Sequence, residues 1–120
     1  MSSRTRTVAA YFDGFRASDH EAILALLSED VVWVIHGHGR MEGKQAFDRE
    51  IENDAFEGSP KLTVERLIEE GDTVVAPHVG EGRLRDGGVF RFAGVTVFGF
   101  DGELISRVES YIVPLGGSAA

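Results

Sequence analysis

Three polar side chains near the C-terminus, Arg107, Glu109 and Tyr111, stand at every second position of a segment that also contains Leu104, Val108 and Ile112. Residues two apart in a β-strand lie on the same face of the sheet. A carboxylate enclosed by apolar side chains has a raised pKa and can act as a general acid or base, whereas a neighbouring arginine lowers that pKa. The spacing alone leaves two arrangements open: a pocket that contains this face, or a solvated Arg107–Glu109 pair with the core behind it.

His78 lies in a second long segment of β-type sequence. Histidine titrates near neutral pH, so His78 and Glu109 on one concave face could together perform general acid–base catalysis. We expect these two side chains to be about two strands, ~10 Å, apart. An equally good interpretation is a half-buried histidine that hydrogen-bonds to solvent or to the backbone.

The segment His36-Gly37-His38 could suggest a metal site, but a metal needs at least a third ligand, and none stands at a suitable spacing. The glycines beside these histidines lack the lysine and the spacing of a phosphate-binding loop. The chain has no cysteine, which excludes thiolate ligands and thiol catalysis. The sequence therefore predicts no metal and no other cofactor.

The charge balance argues against nucleic acid as a partner. The chain carries 20 acidic and 12 basic residues, a formal net charge of −8, whereas nucleic-acid-binding proteins concentrate lysine and arginine on one face. Its longest apolar runs fall far short of the ~20 residues of a membrane-spanning helix. We therefore expect a cytoplasmic protein with neither a nucleic-acid nor a membrane partner.

Apolar residues recur at helical spacing near the N-terminus: Val8, Tyr11, Phe12 and Phe15. They predict a helix over 4–17. Ser18 and Glu21 have the spacing of a capping box, so a second helix should begin there and end at 28–30. A third helix is predicted from Lys44 to about Asn53.

The apolar period changes to two in the second half of the chain, which predicts strands. After a first strand over 31–35 and a glycine-broken loop over 36–43, the predicted strands begin at Lys61 and continue over 73–84, 89–100 and 104–113. Helices followed by a run of hairpins are typical of an α+β fold. We predict one domain over 1–120, ordered over about 5–114.

The dipeptide Asp101-Gly102 is typical of a two-residue type I′ hairpin turn. Such a turn would place Gly94 opposite Glu109 and Thr96 opposite Arg107. A five-residue loop before it would place Gly80 beside Gly94. Glu109 would then face two positions without side chains, where a ligand could enter.

Three segments carry a family resemblance: YFDGFRASDHEAILALLSEDVVW, MEGKQAF and FRFAGVTVFGFDGELISRVESY. Together they resemble the ketosteroid isomerase/SnoaL-like superfamily, to which nuclear transport factor 2 and limonene epoxide hydrolase also belong. The likeness spans about Val8 to Val113. It implies a cone-shaped roll, in which N-terminal helices pack inside a strongly curved mixed or antiparallel sheet. The superfamily includes isomerases, cyclases, hydrolases and binding domains, so activity must be argued from the site.

The resemblance implies roles for particular residues. Tyr11 matches the tyrosine that donates to the oxyanion in ketosteroid isomerases. Ile35 and Thr96 stand where those enzymes have their general base and a protonated aspartate, so standard ketosteroid isomerisation is not expected. Glu109 matches the aspartate that limonene epoxide hydrolase and SnoaL-type cyclases place on their last strand. His78 stands at the position of the hydrolase's arginine.

These observations lead to one functional hypothesis and one alternative. The hypothesis is a cofactor-independent isomerase, cyclase or hydrolase with a pocket for an apolar cyclic molecule. Its candidate catalytic residues are Glu109, His78, Tyr11 and Arg107. Its candidate substrate-binding residues are Phe15, Trp33, Ile35, Phe47, Thr96 and Tyr111. The alternative is a non-catalytic ligand-binding or dimerisation module. In either case we expect a homodimer, because both faces of the late strands carry apolar residues and helices can cover only one.

Overall fold

A computed structural model describes residues 2–52 and 55–115. Three helices and seven strands follow one another in these ranges: α1 (Ser3–Ala17), α2 (His20–Leu24), β1 (Leu27–Ile35), β2 (Gly39–Glu42), α3 (Lys44–Ile51), β3 (Phe56–Val64), β4 (Ile68–Glu70), β5 (Thr73–Leu84), β6 (Val89–Asp101) and β7 (Leu104–Pro114). The predicted helix end at Asn53 and the C-terminal residues 116–120 lie outside the described residues.

The seven strands form one mixed sheet in the order β2-β1-β7-β6-β5-β3, with β4 paired to the start of β5. Strands β1 and β7 run parallel, and the other neighbouring pairs run antiparallel. The sheet is curved but not closed. The helices cover one of its faces, here called the inner face. The predicted α+β fold is confirmed.

The core lies between the helices and the inner face. Its fully enclosed side chains come from every layer: Val8, Tyr11, Phe12, Ile23, Leu27, Val31, Trp33, Phe47, Val74, Ala76, Phe98, Phe100, Ile105 and Val108. Along β5 and β6 the buried residues alternate with less buried ones, as expected where only one face of a sheet is covered.

The junction between α1 and α2 differs from the prediction. Ser18 ends α1 in the left-handed conformation, with φ 51°, instead of capping the next helix. Asp19 caps α2, and its side chain accepts a hydrogen bond from the Ala22 backbone N–H. Helix α2 also ends at Leu24, earlier than predicted, because Leu27 already pairs with Ile105 in the sheet.

The predicted glycine-broken loop over 36–43 contains a strand. Residues Gly39–Glu42 form β2, which pairs antiparallel with the end of β1. Gly37 has φ 82° and supplies the left-handed residue of the turn between them. The short polar strand gave no period-two apolar signal, so its pairing could be seen only in the structure.

The predicted register of the last hairpin is wrong by three residues. Gly94 pairs with Ile112 instead of Glu109, and Thr96 pairs with Ser110. Part of the shift comes from the turn, which is centred on Gly102-Glu103 because Asp101 already pairs with Leu104. The rest comes from a β-bulge at Ser106.

The odd shift turns every side chain of β7 beyond Ser106 to the opposite face. Val108 and Ser110 are therefore buried on the inner face. Arg107 and Glu109 lie on the outer face.

The preceding hairpin keeps the predicted faces although its register also differs. Gly80 pairs with Phe92, and His78 with Gly94. This shift is even, so His78, Gly80 and Gly94 stay on the inner face as predicted. Gly94 leaves room for the imidazole, since a Cβ there would lie 3.2 Å from His78 Cε1.

Replacing Gly94 with alanine should destabilise the protein. The added Cβ would lie 2.6 Å from the Tyr111 carbonyl oxygen, which is backbone and cannot move without disturbing β7. We expect the free energy of unfolding to fall by about 1–3 kcal/mol, measured by urea denaturation. The matched control is Gly39→Ala, whose Cβ would meet no atom within 4 Å; its effect should stay within about 0.5 kcal/mol. Equal losses in the two variants would contradict this packing constraint.

Candidate functional site

A cavity of about 600 Å³ opens between the C-terminal end of α3, β3 and the far ends of β5–β7. Most of its lining is aromatic or aliphatic, and its polar groups include two serines, one glutamate and one arginine. The lining residues are Ser18, Trp33, Ile35, Ile51, Glu52, Phe56, Gly58, Ser59, Pro60, Gly82, Arg85, Phe90, Phe92 and Ile112.

An aromatic wall lines one part of this cavity. The Phe92 ring lies over Gly80, where a Cβ would come within 2.5 Å of Phe92 Cζ, and the Phe56 ring lies over Gly82 in the same way. Phe90 stacks on Phe92, with 5.7 Å between the ring centroids. Two glycines in β5 thus create the space in which these rings lie against the sheet.

Trp33 forms another part of the lining and is held on two sides. Its ring stacks on Phe47, with the centroids 4.4 Å apart, and Phe15 contacts it edge-on. Its Nε1–H donates a 3.0 Å hydrogen bond to Ser110 Oγ. The indole is therefore fixed in orientation before any ligand binds.

His78 is buried in the interior beside this cavity. Its Nε2 lies 2.9 Å from Thr96 Oγ1, and its Nδ1 is buried without a hydrogen-bond partner in the described structure. Phe12 and Phe92 flank the ring. Burial lowers the pKa of His78, and the charge of Glu65 only partly offsets this. The imidazole is therefore neutral at pH 7.

Tyr11, the predicted hydrogen-bond donor, is also buried in the interior. Phe12, Phe15, Phe47 and Phe98 surround its ring. Burial raises the pKa of Tyr11 well above its ordinary value, so the hydroxyl stays protonated and can donate a hydrogen bond. It belongs to the packed core and does not line the cavity itself.

The predicted position of the acid is wrong. Glu109 lies on the outer face, where its carboxylate is 3.4 Å from Arg107 Nη2 and 3.5 Å from His36 Nε2. Tyr111 is exposed on the same face and stacks on His36. The expected concave pair of His78 and Glu109 does not form, because the shifted register of β7 directs Glu109 away from the interior.

The predicted substrate-binding residues have different positions. Trp33 and Ile35 line the cavity, whereas Phe15 and Phe47 support Trp33 from behind. Thr96 is buried against His78. Tyr111 is the predicted substrate-binding residue that lies on the outer face, away from the interior.

Sequence reasoning missed much of the cavity wall, including Phe56, Phe90 and Ile112. Phe90 and Phe92 alternate with polar or small residues, a pattern that could have identified a wall on β6. Phe56 gave no comparable signal. It follows residues 53–54, in a segment that the sequence did not assign to any strand.

Polar contacts cross the mouth of the cavity. The His20 imidazole links α2 to α3, with Nδ1 2.5 Å from Asp48 and Nε2 2.5 Å from Glu52. Ser18 Oγ lies 2.7 Å from Ser59 Oγ. Three of these five side chains, those of Ser18, Glu52 and Ser59, line the cavity. The hydrogen bonds that the imidazole donates to both carboxylates raise the pKa of His20.

In the ranges 2–52 and 55–115, no three histidine or acidic side chains are grouped so that they could hold a metal ion. His36 is near Glu109, and His38 Nε2 is 3.1 Å from Glu50. None of the helices described above is long and apolar enough to cross a membrane.

With the cavity and its neighbours described, the chain can be compared with known proteins. Residues 8–108 match the model of the SnoaL-like domain. The chain belongs to the SnoaL-like domain family. None of the curated proteins compared with it matches. The superfamily resemblance seen in the sequence is confirmed.

Solved structures agree with this assignment of the fold. An NTF2-like protein of unknown function from Burkholderia pseudomallei K96243 superposes with a TM-score of 0.84 at 21% identity, over 94% of this chain and 92% of that one. The LEH-like epoxide hydrolase of M. tuberculosis gives 0.81 at 18% identity, over 92% and 83%. A putative polyketide cyclase from Xanthomonas campestris pv. campestris gives 0.75 at 26% identity, over 92% of both chains.

The His20 contacts should make the stability of the protein depend on pH. The pKa of His20 is raised in the folded state above 6.5, so its stabilising contribution is complete below pH 6.5 and is lost as the pH rises through the raised pKa. We expect the stability difference between wild type and His20→Gln, measured by urea denaturation, to shrink over that rise. The double variant Asp48→Asn/Glu52→Gln keeps the histidine but should show the same loss of pH dependence. A constant difference at all pH values would contradict this.

Proposed function

We propose that this protein binds an apolar, ring-containing small molecule in the cavity and acts on it as a cofactor-independent isomerase, cyclase or hydrolase. One observation carries the proposal: an aromatic and aliphatic cavity lies next to a buried neutral histidine, His78, whose Nδ1 has no partner in the described structure. Enclosed apolar cavities of roughly 300–1,000 Å³ with a few convergent polar groups are typical of small-molecule sites.

The lining supports an apolar ring system as the ligand. The wall of Phe56, Phe90 and Phe92 and the indole of Trp33 present flat π surfaces, on which rings pack well. The charged lining residues, Glu52 and Arg85, belong to α3's C-terminal end and the β5–β6 loop. A ligand with an apolar body and a polar substituent at the mouth fits this distribution of charge.

His78 supports a chemical role beyond binding. A neutral imidazole can take up or donate a proton at pH 7, and the unpartnered Nδ1 leaves one ring nitrogen available. The ring does not line the cavity, but it contacts Phe92, which does. For His78 to contact a ligand in the cavity, the Phe92 side chain must move aside. Tyr11, a second uncharged donor, lies in the same interior.

The family and its neighbours support chemistry on ring compounds. A neighbour at 26% identity is described as a putative polyketide cyclase, and another neighbour as an LEH-like epoxide hydrolase. One name is that of a cyclase and the other that of a hydrolase, which are two of the three reaction types proposed. Because the sequence identities are low, these neighbours support only a class of reaction. The substrate class is argued from the cavity of this chain.

One observation favours the alternative, a non-catalytic binding module. The carboxylate expected to act as base, Glu109, is on the outer face, and among the described residues that line the cavity Glu52 is the only acidic one. The two functions differ in pH dependence. An enzyme that uses His78 should lose turnover when the imidazole is protonated, whereas a binding module should show no such loss.

Trp33, the only tryptophan of the chain, lines the cavity and can report its occupancy. Titration with 1-anilinonaphthalene-8-sulfonate should quench Trp33 emission and give energy transfer to the dye. Ile112→Phe should weaken binding about tenfold, or ~1.4 kcal/mol, because the larger ring fills the cavity.

The matched control for this titration is the adjacent residue on the outer face. Val113 is 60% exposed, so Val113→Phe should leave the dye affinity unchanged. Equal effects of the two variants, or no dye binding by the wild type, would overturn the proposed binding site.

We further propose that a second copy of the chain covers the outer face. The helices cover only the inner face, which leaves Val75, Val95 and Val97 of β5 and β6 without helix cover on the other. A twofold axis would bury the same patch on both copies. The cytoplasm remains the proposed location, and the absence of cysteine fits a reducing compartment.

Light scattering at micromolar concentration should therefore give the mass of a dimer. Val97→Glu would place a charge beside Glu109, its partner in the β6–β7 register, and should shift the protein to monomer because a buried unpaired carboxylate is costly. Ala10→Glu, at an exposed residue of α1 on the side of the helices, is the control and should remain dimeric. A monomeric wild type would contradict the dimer without affecting the cavity.

A further inference from the structure

Polar side chains form a stripe across the otherwise apolar inner face. Trp33 on β1 donates to Ser110 on β7. Ser110 pairs in register with Thr96 on β6, and Thr96 contacts His78 on β5. Four adjacent strands thus each contribute one polar group to this stripe, and all four side chains are buried.

Trp33 determines which groups donate and which accept in this stripe. An indole N–H can only donate, so Ser110 Oγ is the acceptor in the Trp33–Ser110 bond. The proton of Ser110 must then point elsewhere, and the Thr96 side chain, its cross-strand partner, stands on the same face. If Ser110 donates its proton to Thr96 Oγ1, the Thr96 hydroxyl proton is left to donate to His78 Nε2.

The chemistry of the two groups favours the same direction. An imidazole nitrogen is a far more basic acceptor than a hydroxyl oxygen, so O–H···N is the stronger arrangement for the 2.9 Å contact between Thr96 and His78. A neutral imidazole that accepts at Nε2 carries its proton on Nδ1. The buried Nδ1, which has no partner in the described residues, is then a free N–H donor.

We propose that Thr96 is a positioning residue that holds the His78 proton on Nδ1, so that the ligand must present an oxygen acceptor, such as a carbonyl, to this N–H. The inference rests on the proposed binding of a ring-containing molecule in the cavity and specifies which polar atom that molecule carries. His78 then polarises the ligand oxygen as a neutral hydrogen-bond donor. An unpaired buried N–H is costly in the free protein, and that cost is recovered when an acceptor binds.

The tautomer can be measured without any ligand. In protein labelled with ¹⁵N-histidine, the nitrogen shifts and the one-bond proton couplings of His78 identify which ring nitrogen is protonated. We expect Nδ1–H in the wild type and in Thr96→Ser, which keeps the hydroxyl. Thr96→Val removes the hydroxyl at nearly constant volume and should abolish the single-tautomer preference. A wild-type ring protonated on Nε2 would overturn the inference.

A matched pair of probes tests the consequence for binding. Fluorenone and fluorene share the same three rings, but only fluorenone has a carbonyl oxygen. In competition with 1-anilinonaphthalene-8-sulfonate, wild type and Thr96→Ser should bind fluorenone about 2- to 10-fold more tightly than fluorene, the value of one net hydrogen bond. Thr96→Val should bind both probes equally well.

The outcomes separate the inference from the proposed function. If both probes bind the wild type with equal affinity, the inference is wrong and the apolar binding site stands. If neither probe binds, the proposed function is wrong, and the tautomer measurement still decides the role of Thr96. Failure of Thr96→Val to fold would not affect the two wild-type measurements, each of which can refute the inference alone.

Discussion

A single extra residue in β7, Ser106, controls which side chains of that strand enter the interior. Gly99 pairs with Arg107 but Phe100 pairs with Ile105, so Ser106 is left over as a bulge. Its hydroxyl donates to the Gly99 carbonyl oxygen at 3.3 Å. Because the side-chain period of a strand is two, one inserted residue exchanges the inner and outer sets beyond it.

The parallel pairing of β1 with β7 depends on the same bulge. Leu27 pairs with Ile105, whereas Val32 pairs with Arg107, so β1 also changes register in this region. Beyond it, Trp33 comes beside Ser110 and can donate its N–H to the serine hydroxyl. The orientation of the indole in the cavity, and the polar stripe that ends at His78, both follow from this alignment.

The interior combines two demands that normally conflict. A ligand cavity for ring compounds needs apolar walls, yet proton transfer or polarisation needs a polar group within them. The structure places polar groups in one stripe along the inner face, where Trp33 bonds to Ser110 and His78 to Thr96. Within ranges 2–52 and 55–115, the buried side-chain atom left without a partner is Nδ1 of His78. The unsatisfied atom lies beside the cavity wall, at Phe92.

The outer face has a different chemistry from the inner one. Arg107, Glu109, His36 and Tyr111 form a cluster of polar and aromatic contacts there. In the family resemblance, an acid at this point of the chain belongs to the pocket. In this chain the acid pairs with an arginine and a histidine at the surface, so a carboxylate-based mechanism receives no support from its geometry.

Much of the fold follows from local sequence. The apolar stripe of α1, the alternation along β5 and β6 and the hairpin loop at 85–88 were all predictable, because each depends on neighbours in the chain. The same local patterns correctly place His78, Gly80 and Gly94 on the inner face, since an even shift in register leaves faces unchanged. Trp33 and Ile35 were also identified as cavity residues from sequence.

The tertiary structure alone decided the face of Glu109. Alternation shows that Arg107, Glu109 and Tyr111 share a face but cannot say which. The later turn shifts the register by two residues and leaves the faces unchanged, so the bulge in β7 decides the answer. The register of β7 depends on its pairing with both β1 and β6, so a local motif such as Asp101-Gly102 does not determine that register. For the same reason the missing partner of His78 Nδ1 became visible only when all the neighbouring strands were in place.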